Sequence, residues 1–170
     1  MKRLFPLVLV VLTGLVLLFA SCATTTKKSD KSIADDLESR IKASGLKDID
    51  VKTTSRGVTI TAGALNFPAD SAEITAATAK RLDSLVGLLK GYQDKKMLIQ
   101  GHTADVGDKG SQKDLSVKRA KAVADYLVKK GAAKASQLII EGLGGTVPLA
   151  GNDTDAGRAK NRRVEITLLR

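Results

Sequence analysis

The stretch from Gly101 to Val123, GHTADVGDKGSQKDLSVKRAKAV, contains the residue types in this chain that could do chemistry. It holds His102, the only histidine, together with acids in a glycine-rich loop and Arg119 in a segment with helical character. Such a stretch could supply a catalytic base, grip a ligand, or only connect two elements. A catalytic base would need a nucleophile beside it and a third group to orient it.

These residues do not support a nucleophilic or a metal-dependent site. Ser111 and Ser116 are near His102 in sequence, but the chain has no GxSxG motif to expose a nucleophilic serine. One histidine, one cysteine and scattered carboxylates do not supply the ligand sets of zinc sites. A lone histidine directly after a strand-ending glycine is more often a hydrogen-bonded structural residue. We therefore expect a binding protein with no catalytic residues, no metal and no cofactor.

A second glycine-rich run, GLGG at residues 142–145, resembles part of a phosphate-binding loop. Val147 stands where a GxGxxG motif requires its third glycine, and no GK[ST] sequence follows. The run therefore predicts a turn.

The net charge of +10 indicates an anionic partner, which could be nucleic acid, a membrane surface or a carboxylate-bearing polymer. Aromatic residues make up only 3% of the chain, and tryptophan is absent, which disfavours stacking platforms for single-stranded nucleic acids. The basic residues are scattered along the sequence instead of forming a run. We therefore expect a solvated positive surface and no nucleic-acid binding.

The first 22 residues have the layout of a cleavable N-terminal signal. Lys2 and Arg3 precede an uncharged apolar run over residues 4–18, and small residues then lead to Cys22, the only cysteine. A single cysteine cannot form an internal disulfide. The segment resembles a bacterial lipoprotein signal, whose cysteine is lipidated and becomes the new N-terminus, although Phe19 stands where leucine is usual. The alternative is an uncleaved membrane helix, at the short edge of the roughly 17–25 residues that span a bilayer.

The lipoprotein resemblance implies membrane attachment through Cys22. Its acyl chains would supply more than one hydrophobic anchor, which stable attachment requires. Ala23 follows the cysteine, in place of the aspartate associated with inner-membrane retention, so the resemblance implies the outer membrane with the domain in the periplasm. We assign residues 1–21 to the signal peptide and residues 22–32 to the lipidated cysteine and a flexible polar tether.

Residues 33–57 are predicted to form a short helix and a strand that lead into the main domain. Apolar residues recur at helical spacing as far as Gly45, and Ile49 and Val51 alternate with polar neighbours. A turn at residues 55–57 and a second alternating run then predict an antiparallel hairpin.

Residues 58–170 are predicted to form one domain that contains two long helices. The first helix is expected to begin at Asp70, which has capping-box spacing to Glu73, and to end at Gly91. The second is expected over about residues 115–130.

Short apolar runs between and after these helices predict the remaining strands, near residues 96–101, 138–140 and 164–168. The pattern predicts an α/β two-layer sandwich, with one mixed sheet of four to five strands and the two long helices on one face.

Three motifs in this order resemble the OmpA-like peptidoglycan-binding domain: GHTADVG at residues 101–107, LSVKRA at 115–120 and GRAKNRRVEI at 157–166. The upstream NFPADSAEI at 66–74 is similar to the first loop of that family, so the resemblance spans roughly residues 58–169. It implies the sandwich fold and non-covalent, non-catalytic binding of the peptide stem of peptidoglycan.

The resemblance also implies which residues bind peptidoglycan. Arg119 corresponds to the arginine of the LSxxRA motif and would grip a stem carboxylate bidentately, and a position in the first helical turn would add backbone amide donors. Arg162, the first arginine of NRR, would make a second contact. The other implied binding residues are Thr103, Asp105 and Gln112, Asn161 beside Arg162, and Phe67 and Asp70 in the opposite wall.

One position departs from the family motif. The family sequence is GHTD, and its aspartate pairs with the ammonium of diaminopimelate, whereas Ala104 occupies this position here. Three hypotheses follow. Asp105 takes over the ammonium, or the stem carries a different diamino acid such as ornithine, or binding is weakened and the domain is mainly a scaffold.

The sequence therefore predicts an outer-membrane-anchored lipoprotein that binds peptidoglycan and tethers the envelope to the cell wall. The alternative is a structural envelope lipoprotein that uses the same domain as a protein–protein module for other envelope proteins.

Replacing Cys22 tests the lipid anchor. We expect Cys22→Ser to lose fatty-acid labelling, because no sulfur remains to carry the lipid. Ser21→Ala, which keeps a small residue before the cysteine, should retain the label. Undiminished labelling of Cys22→Ser would contradict the lipoprotein prediction.

Overall fold

The computed structural model describes residues 28–47, 49–62, 65 and 67–170. The predicted signal peptide, Cys22 and most of the predicted tether lie outside these residues. No helix within the described ranges is long and apolar enough to cross a membrane.

The described chain begins with helix α1 (Asp30–Ala43), which is followed by an antiparallel hairpin of β1 (Ile49–Thr54) and β2 (Gly57–Ala62). The helix and hairpin predicted in this region are therefore confirmed. Ile33 and Leu37 of α1 are buried in the same core as the rest of the fold, and β1 extends the sheet through β2. The helix and the hairpin are thus part of the same packed domain.

The next helix, α2 (Ala76–Leu89), begins six residues later than predicted. Its N-terminal cap is Thr75, whose hydroxyl accepts a hydrogen bond from the backbone N–H of Thr78 at 3.2 Å. The predicted capping box at Asp70 is wrong, because Asp70 has a φ of +50° in a turn. An N-cap residue needs an extended backbone, which this left-handed conformation excludes.

The longest helix, α3 (Lys109–Lys129), begins about six residues before its predicted start. Asp108 caps it by accepting a hydrogen bond from the N–H of Ser111 at 2.7 Å. The first two turns are polar, so apolar spacing does not indicate them. Arg119 consequently lies in the middle of α3, and its predicted position in the first helical turn is wrong.

Three strands and one short helix complete the regular structure. The helix, α4, has no counterpart among the predicted elements. In chain order these elements are β3 (Met97–Gly101), β4 (Leu138–Gly142), α4 (Asp155–Asn161) and β5 (Val164–Leu169).

The five strands form one mixed sheet in the order β1-β2-β5-β3-β4. Only the β3–β4 pair is parallel, and α3 connects these two strands. Alternate strand residues, such as Ile60, Ile99 and Ile166, pack against the apolar sides of α1, α2 and α3 in a single core. The predicted α/β two-layer sandwich is confirmed.

Two glycines bring α3 close to the sheet. A Cβ atom at Gly101 would lie 2.0 Å from the carbonyl oxygen of Ser116, and one at Gly142 would lie 2.3 Å from the Ser116 hydroxyl. The same hydroxyl accepts a hydrogen bond from the N–H of Gly144 at 3.0 Å. The polar side of α3 is therefore fixed beside the loops that follow β3 and β4.

Candidate functional site

A cavity of about 580 Å³ opens where β3 ends and β5 begins, and we call this end of the molecule the upper end. The loop after β3, the first half of α3, the segment before α2, and α4 form its walls. The polar lining residues that bear on its chemistry are Asp70, Thr103, Gln112, Arg119, Arg158 and Arg162.

Arg119 forms the floor of the cavity and has 0% exposed surface. Its Nε donates to the carbonyl of Ser71 at 2.9 Å, Nη2 to that of Pro68 at 2.9 Å, and Nη1 to that of His102 at 3.3 Å. The Phe67 ring lies 5.4 Å from the guanidinium carbon. A guanidinium has five N–H groups, so one remains on each Nη for a ligand.

Burial and, to a lesser extent, the positive charge of Arg162 lower the pKa of Arg119 to about 10, whereas the Asp70 carboxylate opposes the shift. Arg119 therefore stays charged at neutral pH. A buried charge is tolerated only when it is hydrogen-bonded, and the three carbonyls meet this need. Arg119 thus holds the segment before α2 against the loop after β3 and at the same time presents positive charge to the cavity.

Arg162 follows α4 and lines the same cavity. Its Nε atom is buried and has no hydrogen-bond partner among the described residues. The hydroxyl of Thr103, another lining residue, is also buried and unpartnered there. Leaving a buried polar group without a partner costs about 1–3 kcal/mol. Both groups therefore have unused hydrogen-bonding capacity beside the cavity.

Gln112 lines the cavity but uses its amide to shape it. Its Nε2 donates to the carbonyl of Gly107 at 3.1 Å, and its Oε1 accepts from the N–H of Gly145 at 3.2 Å. A Cβ atom at Gly145 would lie 2.6 Å from that Oε1. The predicted turn at residues 142–145 is present, and its glycines allow close contact with α3.

Asp70 and Asp105 differ in their availability to a ligand. Asp70 lines the cavity, and its carboxylate has no hydrogen bond or ion pair within the described part of the chain. Asp105 does not line the cavity, and its carboxylate binds the ammonium of Lys109. Hydrogen bonding to Lys109 lowers the pKa of Asp105. The structure therefore places Asp70, and not Asp105, beside Arg119.

Asn161 and Phe67 also lie outside the cavity lining. Asn161 is fully buried, and its Oδ1 accepts from the N–H groups of Leu149 and Ala150 at 2.8 and 3.0 Å. Its Nδ2 donates to the carbonyl of Ala150 and to Asn152. Asn161 therefore holds the loop before α4 in place through these hydrogen bonds. Phe67 packs against the guanidinium of Arg119.

Asp155 and Arg158 of α4 line the cavity, although they are absent from the predicted site. Arg158 donates to the carbonyl of Asn152 at 2.6 Å and forms an ion pair with Asp155. The sequence contained one signal for this helix. Thr154 is a favoured N-cap residue, and an acid follows it in the first turn; its hydroxyl does accept from the N–H of Gly157 at 3.1 Å.

His102 lies on the opposite face of β3 from the core and is 1% exposed. Neither ring nitrogen has a hydrogen-bond partner among the described residues, so the predicted hydrogen-bonded role of the ring is wrong. Arg163 beside it is buried, pairs with Glu165 at 2.7 Å, and donates to the carbonyl of Val147, which is a structural role. Within the described residues no cluster of three or more metal-ligating side chains occurs.

The fold and the cavity define an α/β sandwich that presents a charged cavity, with an arginine floor, at the carboxyl end of a central strand. The sequence profile of the OmpA family matches residues 66–162, more than half of the chain. The chain belongs to the OmpA family.

Several known proteins resemble this chain over the same region. Peptidoglycan-binding protein ArfA of Mycobacterium tuberculosis is 41% identical over 109 residues, which is 64% of this chain and 33% of ArfA. Probable lipoprotein YiaD of Escherichia coli is 38% identical over 104 residues, which is 61% of this chain and 47% of YiaD. The chain thus matches a third of ArfA and about half of YiaD.

A solved structure with a similar fold is the cell wall anchor of the T6SS from Pseudomonas aeruginosa. It superposes with a TM-score of 0.62 at 29% identity and covers 81% of this chain and 96% of the anchor chain.

The buried His102 predicts a loss of stability in acid. Burial and, to a lesser extent, the neighbouring Arg163 lower the pKa of His102 to about 4, whereas the carboxylates of Glu165 and Glu141 oppose the shift. His102 therefore takes up a proton near pH 6.5 in the unfolded chain but only near pH 4 in the folded chain. The contribution of the neutral His102 ring to the free energy of unfolding is complete above pH 6.5 and falls by about 3 kcal/mol as the pH drops from 6.5 to 4.

Urea unfolding between pH 7 and pH 4 measures this effect. We expect His102→Gln to lose most of the pH dependence in this window, because glutamine does not titrate and the carboxylates titrate only near its acid limit. A control histidine at an exposed site, Lys80→His in a His102→Gln background, should not restore it. An equal slope in the wild type and in His102→Gln would contradict the assignment.

Proposed function

We propose that this chain is a lipid-anchored envelope protein whose periplasmic domain binds the peptide stem of peptidoglycan non-covalently, without catalysis. In this role it tethers the outer membrane to the cell wall. The observation that carries the proposal is the cavity at the upper end, where Arg119 and Arg162 lie beside the unpaired carboxylate of Asp70. Such a cavity suits a ligand that carries both signs of charge.

The free end of diaminopimelate in a stem peptide has this chemistry, because one carbon carries both a carboxylate and an ammonium. The two remaining N–H groups of Arg119 and the unpartnered Nε of Arg162 are donors for the carboxylate. The unpartnered hydroxyl of Thr103 adds a neutral donor. Asp70 supplies the opposite charge for the ammonium.

Asp70 replaces the aspartate that the family places where this chain has Ala104. Ala104 and Asp70 line the same cavity from different segments, so an acid on one wall compensates for its loss on the other. Asp105 is less suited to this role, because Lys109 already neutralises its carboxylate. This arrangement differs from all three hypotheses for Ala104, because it assigns the ammonium to Asp70 and not to Asp105.

The two arginines also favour diaminopimelate over ornithine. An ornithine side chain ends in an ammonium alone and offers no carboxylate to a guanidinium. Binding it here would place its positive charge near Arg119 and Arg162 and leave the buried Nε of Arg162 unpartnered. We therefore assign the ligand as a stem peptide with a zwitterionic end.

The relatives support the location as well as the ligand. ArfA is named as a peptidoglycan-binding protein, YiaD as a probable lipoprotein, and the similar structure as a cell wall anchor. Together with the lipoprotein-like N-terminus of this chain, they support an outer-membrane location with the domain facing the wall. The competing interpretation, a protein–protein module, requires no retention by the wall.

Arg162 is the residue at which ligand binding can be separated from folding. Arg119→Ala would remove a partner from three carbonyls, whereas the side chain of Arg162 makes no hydrogen bond or ion pair within the described residues. We expect Arg162→Gln in residues 23–170 to lower retention by purified diaminopimelate-type sacculi about tenfold, with the melting temperature unchanged. Lys160→Gln, an exposed position on α4 outside the cavity lining, is the charge-matched control and should bind normally. A wild-type domain left in the supernatant would favour the protein–protein interpretation.

The carboxylate of Asp70 on the cavity wall is the proposed partner of the ligand ammonium. We expect Asp70→Asn to weaken binding of a diaminopimelate stem peptide about tenfold, and the double variant Asp70→Asn/Ala104→Asp to recover it, as measured by calorimetry. Asp105→Asn, the matched control, should bind like the wild type. A larger loss of affinity in Asp105→Asn than in Asp70→Asn would show that Asp105 binds the ammonium. Tighter binding of ornithine stem peptides than of diaminopimelate stem peptides would refute the assigned ligand.

A further inference from the structure

The positive charge of the chain is concentrated at the end of the molecule opposite the cavity. We call this the lower end. It consists of the start of α1, the turn between β1 and β2, the segment from α2 to β3, the segment from the end of α3 to β4, and Arg170. Its basic residues are Lys28, Lys31, Arg56, Lys90, Lys95, Lys96, Lys129, Lys130, Lys134 and Arg170.

The only acids in these segments are Asp30 and Asp94. From residue 28 onward the sequence contains 25 basic and 18 acidic residues, so 15 basic and 16 acidic residues are left for the rest of the domain. If Asp83 and Glu141, which pair with two of these basic residues, are counted with them, the lower end holds ten basic and four acidic residues, so most of the net charge of residues 28–170 lies there. The basic residues are scattered along the sequence, and the fold brings ten of them together at this end.

Most of these cations are not neutralised by the protein. Arg170 pairs with Asp30, Lys130 with Asp83 at 2.7 Å, and Arg56 with Glu141 at 3.5 Å. Seven lysines at the lower end have no ion-pair partner within the described residues, and all but Lys95 are exposed: Lys28, Lys31, Lys90, Lys95, Lys96, Lys129 and Lys134.

The lower end is also where the N-terminal segment joins the fold. Lys28 lies at the start of α1 and close to Arg170 and Lys95, with which it lines a shallow depression. Lys28 is only six positions after Cys22, so a chain attached to a membrane at Cys22 reaches no more than about 20 Å before the domain begins. The cavity is at the other end of the sheet, beyond the full length of β3.

We propose that the lower end is a membrane-contact surface that binds the phosphates of anionic lipid headgroups and thereby turns the cavity away from the bilayer, toward the wall. Lysine ammonium groups are compact point charges suited to phosphate, and clustered basic residues beside a membrane anchor are attracted to anionic lipids. The proposal rests on the membrane attachment in the proposed function and is independent of peptidoglycan binding.

The test uses the full chain with Cys22→Ser, which keeps the apolar run at residues 4–18 as its attachment to vesicles whether or not the natural chain is lipidated. A single cysteine at Ser136→Cys carries a fluorophore at the lower end, and one at Ala156→Cys carries it at the upper end. The vesicles contain headgroup-linked quencher in phosphatidylcholine, with or without about a quarter of phosphatidylglycerol.

We expect phosphatidylglycerol to increase quenching at Ser136→Cys about threefold and to leave Ala156→Cys unchanged, and about 0.5 M NaCl to abolish the increase. The variant Lys90→Gln/Lys95→Gln/Lys96→Gln/Lys129→Gln should lose it. The matched control Lys42→Gln/Lys47→Gln/Lys80→Gln/Lys118→Gln removes four charges elsewhere and should retain it.

Equal quenching in both kinds of vesicle, or an equal loss in both quadruple variants, would overturn the proposal. So would loss of sacculus retention in the lower-end variant, because it would make this surface a wall-binding site. A wild-type chain that fails to bind sacculi refutes the proposed function and leaves the vesicle measurement intact.

Discussion

The upper end of this molecule depends on the burial of one positive charge. Arg119 has no exposed surface, so water cannot solvate its guanidinium, and the cost of desolvation must be offset by the protein. The carbonyls of Pro68, Ser71 and His102 provide this compensation. These carbonyls come from two segments far apart in sequence, so both segments are held in one geometry. These hydrogen bonds hold the turn at Asp70 and fix the floor of the cavity.

A second constraint is the close approach of α3 to the sheet. Ser116 of α3 lies so close to Gly101 of β3 and Gly142 of β4 that a Cβ atom at either glycine would not fit. Because α3 carries Arg119, the depth at which the helix packs sets the depth of the cavity floor. Gln112 and Ser116 of the same helix then hold the turn after β4 through hydrogen bonds to its backbone. Packing and binding geometry are therefore set by the same helix.

The two ends of the molecule differ: the cavity lies at one end and a basic surface lies at the other. This arrangement follows from the strand directions, because β3 and β5 are antiparallel and bring the loop after one to the start of the other. Helix ends and turns meet at the lower end, and the lysines that they carry repel one another and attract anions. This distribution of charge is the basis of the proposed orientation, with the basic end toward a membrane and the cavity toward the cell wall.

The sequence by itself determined the fold class, the five strands, the three longer helices and the family, because apolar periodicity and motif order are local patterns. It identified five residues that line the cavity: Asp70, Thr103, Gln112, Arg119 and Arg162. It did not locate the starts of α2 and α3, where polar caps replace apolar spacing. Only the tertiary structure decided that Asp70 faces the cavity while Lys109 holds Asp105, and that ten scattered basic residues share one surface. The physical reason is that side-chain direction and charge clustering depend on contacts between distant segments, which no local pattern encodes.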